Sequence, residues 1–309
     1  MRLGLCCIFR QAEIGFRTTT AKALGKLGRK QRIERLRALA AHNASALYAA
    51  IDYCAAHDIG GFRVNSQILP LKTHPVLGYD AAALGGEIIE SFRGCGELAR
   101  STGTRVTLHP DQFVVLSSPD RGVVNASLAE IEYQAEVAEW ISADLINVHG
   151  GGGYGDKPAA LKRLVSSVGQ LSDRARSRLS LENDDRIYTP SDLLPVCEQL
   201  GLPLVYDVHH HRCHGDGLDV ETATERAIKT WDREPLFHIS SPRDGWCADN
   251  PRPHSDYIAL RDFPRIWDAM EITVEVEAKA KELAVRKLKR ALERRARRQD
   301  RGARLGLQR

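Results

Sequence analysis

Six short apolar runs in this chain each end in a side chain able to hold a metal ion. They are RVTLH (105–109), DLINVH (144–149), LSLE (179–182), LPLVYD (202–207), LFH (236–238) and ITVEVE (272–277). Their last residues, His109, His149, Glu182, Asp207, His238 and Glu277, follow one another at intervals of 40, 33, 25, 31 and 39 residues. A strand reaches a parallel neighbour only after a crossover of about a dozen residues or more, usually a helix, and these intervals fit that unit. Two further runs, residues 2–7 and 61–65, bring the strands to eight. The expected fold is α/β: a single-domain (β/α)8 TIM barrel over residues 1–285, with a basic C-terminal helical extension over 286–309. In such a barrel all six side chains project from the C-terminal rim, where these folds keep their chemistry.

Apolar periodicity predicts helices over 30–57, 80–102, 125–142, 157–176, 220–231 and 278–298. Another opens at Thr189, with Pro190 in its first turn, and stops near Gly201. The segments after the strands, 65–79, 110–124, 150–156, 183–190, 208–219 and 239–264, are irregular and are expected to form the binding surface. The final helix is expected to fray after Gly302.

At 309 residues the chain has the length of one such barrel with a modest extension. No run of 18 uncharged apolar residues is present, and the opening MRLGLCCIFRQAEIGF lacks a signal-peptide core, so a cytoplasmic location with no membrane contact is expected. Seven cysteines without a C-x-x-C pair argue against a disulfide framework and a thiolate zinc site. Adjacent Cys6 and Cys7 read as small residues closing the first strand. The net charge of +4 hides an asymmetry. Residues 286–309 hold eleven Lys and Arg against two acids, which leaves residues 1–285 at −5. That tail reads either as a solvated helix or as a contact to phosphate backbone.

Imidazole and carboxylate ligands without thiolate suit manganese, iron or zinc in a reactive site. Glu182 lies centrally among the six, and its two oxygens could bridge two cations. Asp184 and Asp185 read as turn caps or as groups that orient ligands. In DVHHH (207–211) the chain turns after the strand, so His210 could reach the pocket, while His209 or His211 is expected to stand behind the ligands; His214 reads as a turn residue. In HPDQF (109–113), Gln112 and Phe113 follow a ligand directly. If exposed, that pair could stack against a base; if buried, Phe113 is core.

The segments FRVNSQILPLKTHP, HPDQFVVL, INVHGGG, LENDDRIYTP, LVYDVHHH, HISSP, PHSDYI and VEAKAKE, in this order, resemble the ultraviolet-damage endonucleases, relatives of endonuclease IV among the xylose-isomerase-like barrels. The resemblance runs from about Arg2 to Glu282. It implies a metal-dependent DNA-repair endonuclease that hydrolyses the phosphodiester 5′ of ultraviolet photoproducts, cyclobutane dimers and 6-4 photoproducts, leaving a 3′ hydroxyl. It further implies up to three divalent metal ions, Mn2+ foremost. Carried over by motif, His109 and His149 would hold the first ion with Glu182 bridging to the second, Asp207, His238 and Glu277 would complete the second, and His210 and His254 would bind the third. Gln112 and Phe113 stand where the family inserts a Gln-Tyr pair into the duplex at the lesion. Lys72 and Asn65 are read as weaker contacts to the DNA backbone. The implied partner is double-stranded DNA containing damage, bound by a monomer.

Two positions depart from the family pattern. Leu5 and the following Cys-Cys-Ile-Phe9 stand where the family carries a Tyr and then an Asn, and Leu236 stands where it often carries a Lys. Any help that Lys gives the metals must be absent or supplied differently. The alternatives are an apurinic-site endonuclease resembling endonuclease IV, a metal-dependent sugar isomerase on the same barrel, and a non-catalytic DNA-binding protein, which would leave a costly cluster of buried acids without cations.

Overall fold

The computed structural model describes the backbone of residues 1–306 and the side chains through residue 298; the expected tail beyond that lies outside the described side chains. Eight parallel strands close into a barrel in sequential order. They are β1 (Arg2–Cys6), β2 (Gly61–Val64), β3 (Arg105–Leu108), β4 (Leu145–His149), β5 (Leu179–Glu182), β6 (Leu204–Asp207), β7 (Leu236–Ile239) and β8 (Thr273–Val276). Every expected strand is present. Closure comes from β1 pairing with β8, with Leu3 opposite Val274 and Leu5 opposite Val276.

The helices around the barrel are α1 (Ala21–Gly25), α2 (Arg29–Ala56), α3 (Gly86–Thr102), α4 (Arg121–Ile141), α5 (Lys157–Val168), α6 (Asp173–Arg176), α7 (Pro190–Leu200), α8 (Val208–Cys213), α9 (Val220–Ile228) and α10 (Glu282–Gly306). The buried face of α2 repeats every three to four residues through Leu36, Leu39, Ala40, Asn43, Leu47, Ala50, Ile51 and Cys54, the stripe that packs on the barrel. Helix α7 starts where its signals place it: Thr189 accepts from the Asp192 N–H, Pro190 needs no donor there, and Gly201 closes the end with φ +64°.

Four expectations are corrected. The helix expected over 157–176 is two, because α5 ends at Gly169 and Ser172 then caps α6 by accepting from the Ala175 N–H at 3.2 Å. The 80–102 segment is a 3-10 turn, Ala81–Leu84, followed by α3, and Gly85 between them takes φ +88°. The segment 208–219, expected to be irregular, begins with α8, whose N-cap is Asp207. The last helix starts at Glu282 rather than 278 and continues to Gly306 past the expected fraying point. Its first carboxylate accepts the backbone N–H groups of Arg10 at 2.7 Å and Gln11 at 2.6 Å, so the turn before it, with Lys281 at φ +53°, is set by that tie to the segment after β1.

The barrel interior is unusually polar. Thr107 on β3 donates to Glu275 on β8, strands that are not neighbours, so the contact crosses the barrel. Gly4 makes room for it: a Cβ there would stand 3.1 Å from Glu275 Cγ. Below lies a small apolar plug of Leu145, Val205 and Leu236. Leu236, where the resemblance implied a frequent Lys, is thus part of the barrel floor.

Candidate metal centre

Four of the six ligand candidates lie within their strands; His109 and Glu277 stand one residue beyond β3 and β8. Alternation along the strands gives all six the same inward sense, and they converge on Glu182. Its Oε2 lies 3.0 Å from His109 Nε2 and 4.0 Å from His149 Nε2, while its Oε1 lies 3.1 Å from His238 Nδ1 and 3.4 Å from His210 Nδ1. Asp207 Oδ2 stands 3.5 Å from His210 Nδ1 and 4.0 Å from His238 Nδ1, and Glu277 Oε1 is 3.6 Å from His238 Nδ1. His254, on the long loop after β7, faces the other oxygen of Glu277 at 3.7 Å. Among the described residues two sets have ligand atoms within 4.8 Å of one another: His109, His149 and Glu182, and Glu182, Asp207 and His238. Glu182 belongs to both.

The donor set fits cations. Asp207 Oδ2 and His149 Nδ1 are buried without a hydrogen-bond partner, and His238 Nε2 approaches Glu275 Oε2 at 3.1 Å without hydrogen-bond alignment. Unpaired buried polar atoms of this kind are rare in folded proteins and mark sites completed by something else. The tautomers also suit ligation. His109 Nδ1 meets the Pro110 carbonyl at 3.0 Å; a proton held there leaves Nε2 as a lone pair aimed at Glu182. His210 Nδ1 meets the Asn183 carbonyl at 3.0 Å, which leaves its Nε2 free.

The titratable groups of the cluster shift one another. Burial pulls the His238 pKa down, but the Glu182 charge, the hydrogen bond to Glu182 and the close approach of Glu275 raise it well above the ordinary imidazole value. At His210 burial is likewise outweighed, by the charge of Asp207 and by Glu182, and the pKa rises to about 10. Burial alone would raise Glu182, yet His238 and His149 hold it well below the usual carboxylate range. His149 is lowered, chiefly by burial, and is therefore neutral and ready to coordinate.

Three participants escaped the sequence reading, all two residues before a position it named or along the same strand face. Asn147 donates to Glu182 Oε2 and also meets Ser180 at 3.0 Å, fixing the central carboxylate. Glu275 is a second buried acid on β8. Arg63 on β2 reaches Glu277 Oε1 at 2.6 Å and Glu275 Oε2 at 3.3 Å, so a cationic side chain does serve this cluster, from β2 rather than β7. Period-2 counting back from His149, Glu277 and Asn65 would have reached them.

The neighbouring residues divide as follows. His211 is tied to the Tyr206 hydroxyl at 2.7 Å and to Asp216 at 2.8 Å, away from the carboxylates. His209 holds the Arg252 carbonyl at 3.0 Å and packs its ring 5.1 Å from that of His254, so it steadies the loop that carries His254. Asp184 caps its turn by accepting from Arg186, Ile187 and Tyr188, and Asp185 faces Arg252 at 3.2 Å. His214 closes α8. Cys6 is buried at the end of β1, and Cys7, at φ +65°, turns the chain and accepts from Arg63 Nε at 3.4 Å.

A groove of about 660 Å3 opens over the cluster, lined by Gln112, His149, Tyr154, Asp184 and His210. Beside it lies a hollow of about 320 Å3 lined by Lys72, Phe113, Glu130 and Tyr133. Phe113 is 79% exposed, which removes the core reading of that ring. Lys72 stands 3.7 Å from Glu136, and Asn65 accepts from the Gln67 N–H at 2.8 Å.

The chain matches the model of the family described as UV-endonuclease UvdE over residues 1–302. A UV DNA damage endonuclease of Deinococcus radiodurans is 35% identical over 300 residues, covering 93% of this chain and 94% of that protein. Its counterpart in Bacillus velezensis is 33% identical over 286 residues, 88% and 87% of the two chains. Among solved structures, that of SacUVDE superposes with a TM-score of 0.85 at 24% identity over 95% of this chain and 98% of that one. Endonuclease IV of Thermus thermophilus follows at 0.62 and 14% identity, over 95% and 98% of the chains, and a D-psicose 3-epimerase of Clostridium cellulolyticum at 0.57 and 13%, over 96% and 98%. These three likenesses concern the fold, which nucleases and sugar epimerases share. Sequence relationship over nearly the whole length decides between them: the chain belongs to the UV-endonuclease UvdE family.

Proposed function

We propose that this protein nicks duplex DNA on the 5′ side of ultraviolet photoproducts, cyclobutane dimers and 6-4 photoproducts, using up to three divalent cations, Mn2+ foremost. The observation that carries the reading is Glu182, one buried carboxylate shared by two metal-competent triads beneath an open groove. His109, His149 and Glu182 would hold one ion, Glu182, Asp207, His238 and Glu277 a second, and His210 with His254 a third. When bound, such cations polarise a phosphodiester and lower the pKa of water.

The chain's own part is to hold those ligands still. Asn147 fixes the bridging carboxylate, and Asn183 clamps the ends of β5 and β6 by donating to the Asp207 carbonyl at 2.9 Å and accepting its N–H at 3.0 Å. Arg63 orients Glu277 from below. At the lip, Gln112 lines the groove while Phe113 lines the adjoining hollow, so the pair stands on the ridge between two recesses. An exposed ring on a ridge is suited to filling the gap that a displaced base pair leaves. Lys72 lines that hollow and, with Asn65, would contact backbone once released from its present partner. The deciding experiment is a nicking assay with Mn2+ on three duplexes, one with a single defined photoproduct, one with an apurinic site and one undamaged. Preferential cleavage 5′ of the photoproduct is expected; cleavage confined to the apurinic duplex would give the protein the other repair activity.

A further inference from the structure

Helix α10 begins at the rim that bears the candidate metal ligands and runs away from it along the outside of the barrel. Glu282 is bonded to the segment that follows β1, at the C-terminal rim. Seven residues on, Lys289 Nζ donates to the carbonyl of Asp58, which precedes β2, at the N-terminal end. Arg295 then reaches the Phe263 carbonyl at 3.5 Å and pairs with Asp268, both in the segment before β8. At about 1.5 Å per residue, Arg298 lies roughly 24 Å along the helix axis from Glu282.

On this outer flank Leu260, Arg265, Ala291, Arg294, Arg295 and Arg298 line a pocket of about 410 Å3. Arg295 is buried and neutralised by Asp268. Among the described residues, no carboxylate pairs with Arg265, Arg294 or Arg298, and all three are exposed. Arg286, Arg290, Arg294 and Arg298 also recur every four residues, one row of like charge along the helix. Such a row destabilises an isolated helix, and an anion beside it would offset the repulsion. Its length of about 18 Å exceeds a single small anion and matches roughly ten charges of a duplex at about 1.7 Å each.

We propose that this face is a second nucleic-acid site, which grips the phosphodiester backbone of a duplex segment other than the one over the metal centre. One molecule can then hold two segments at once. Only the identity of the first segment rests on the function proposed above.

The test is a bridging assay with the full chain. A photoproduct duplex is fixed to beads, labelled protein is bound, and a fluorescent undamaged duplex of unrelated sequence is offered. Wild type should capture it, while Arg265→Glu and the double variant Arg294→Glu/Arg298→Glu should lose capture by at least about tenfold with as much protein on the beads. Loss of several phosphate contacts has that size, and capture should fall steeply with salt. The substituted side chains are exposed, and nicking at saturating DNA should be unchanged. Protein held on the beads with no capture by wild type, or with equal capture by the variants, overturns the proposal. If no protein is held by the photoproduct, the functional reading has failed; direct titration of the undamaged duplex then decides this site. Reversed charges should weaken that binding at least about tenfold, and equal affinities overturn the proposal.

Discussion

Asp207 turns one carboxylate oxygen, Oδ1, to the His210 N–H at 2.8 Å and leaves the other, Oδ2, buried without a partner. One side chain thus caps α8 and keeps its second oxygen among the candidate metal ligands. Asp207→Asn should separate the two roles. The amide oxygen can keep the cap, but the NH2 in place of Oδ2 cannot coordinate a cation. The thermal shift on adding Mn2+ should shrink, with apparent affinity lowered at least about tenfold, as loss of even an outer partner of a ligand lowers affinity about 10–100-fold. An unchanged Mn2+-induced shift would remove Asp207 from the ligand set.

Glu182→Gln tests the shared carboxylate. Both triads lose their common member, and a neutral amide of the same shape cannot bridge two cations. Nicking should fall by at least about a hundredfold while binding of the photoproduct duplex persists, because the groove lip is untouched. Near-normal turnover at saturating Mn2+ would sink the bridging role.

Arg63→Met should expose the tension among the acids. The guanidinium lies 2.6 Å from Glu277 and 3.3 Å from Glu275, and its side chain is largely buried. Removing one partner of a buried ion pair costs about 3–5 kcal/mol, since the other charges stay uncompensated. Mn2+ should restore part of that loss by supplying positive charge nearby. Urea unfolding with and without Mn2+ reads both numbers; a loss that Mn2+ leaves untouched would mean that Arg63 serves packing alone.

Much of this centre was legible because ligand type and strand end coincide: His149, Glu182 and Asp207 each close a strand, and the spacing of the runs is the barrel repeat. What stayed hidden lies deeper. Asn147, Arg63 and Glu275 occur inside apolar runs, where a polar residue reads as facing solvent unless the barrel interior is known to be polar. The break between α5 and α6 was invisible for a different reason. Leu164, Val168, Leu171 and Ala175 are all buried and keep helical spacing across it, so only Gly169 and Ser172 mark the turn. The exposure of Phe113 was undecidable from sequence, since the same ring serves a core or a ridge.

Metal affinity should rise with pH. In the cation-free site His210 titrates at about 10 and His238 well above its ordinary value, so both carry protons at neutral pH. A cation bound by these imidazoles must displace the protons, which opposes binding increasingly as pH falls. Affinity for Mn2+ should therefore climb from pH 6 towards about 10, with proton release detectable by calorimetry in buffers of different ionisation enthalpy. Binding without proton release at pH 7 would show that neither imidazole is a ligand.

Phe113→Ala and Gln112→Ala should weaken discrimination rather than metal binding. The ring is exposed on the ridge beside the groove, while the adjacent ligand candidate His109 is held independently through Pro110 and Glu182. Stacking of a base on an aromatic ring is worth about 1–3 kcal/mol, or roughly one to two decades in affinity. Affinity for the photoproduct duplex should fall by that amount in the Phe113 variant, with affinity for undamaged duplex little changed and the Mn2+-induced thermal shift intact. Phe113→Tyr, which keeps the ring, should retain selectivity. Equal loss on damaged and undamaged DNA would make the ridge a general backbone contact, and no loss on either would leave the exposed ring without a part in recognition.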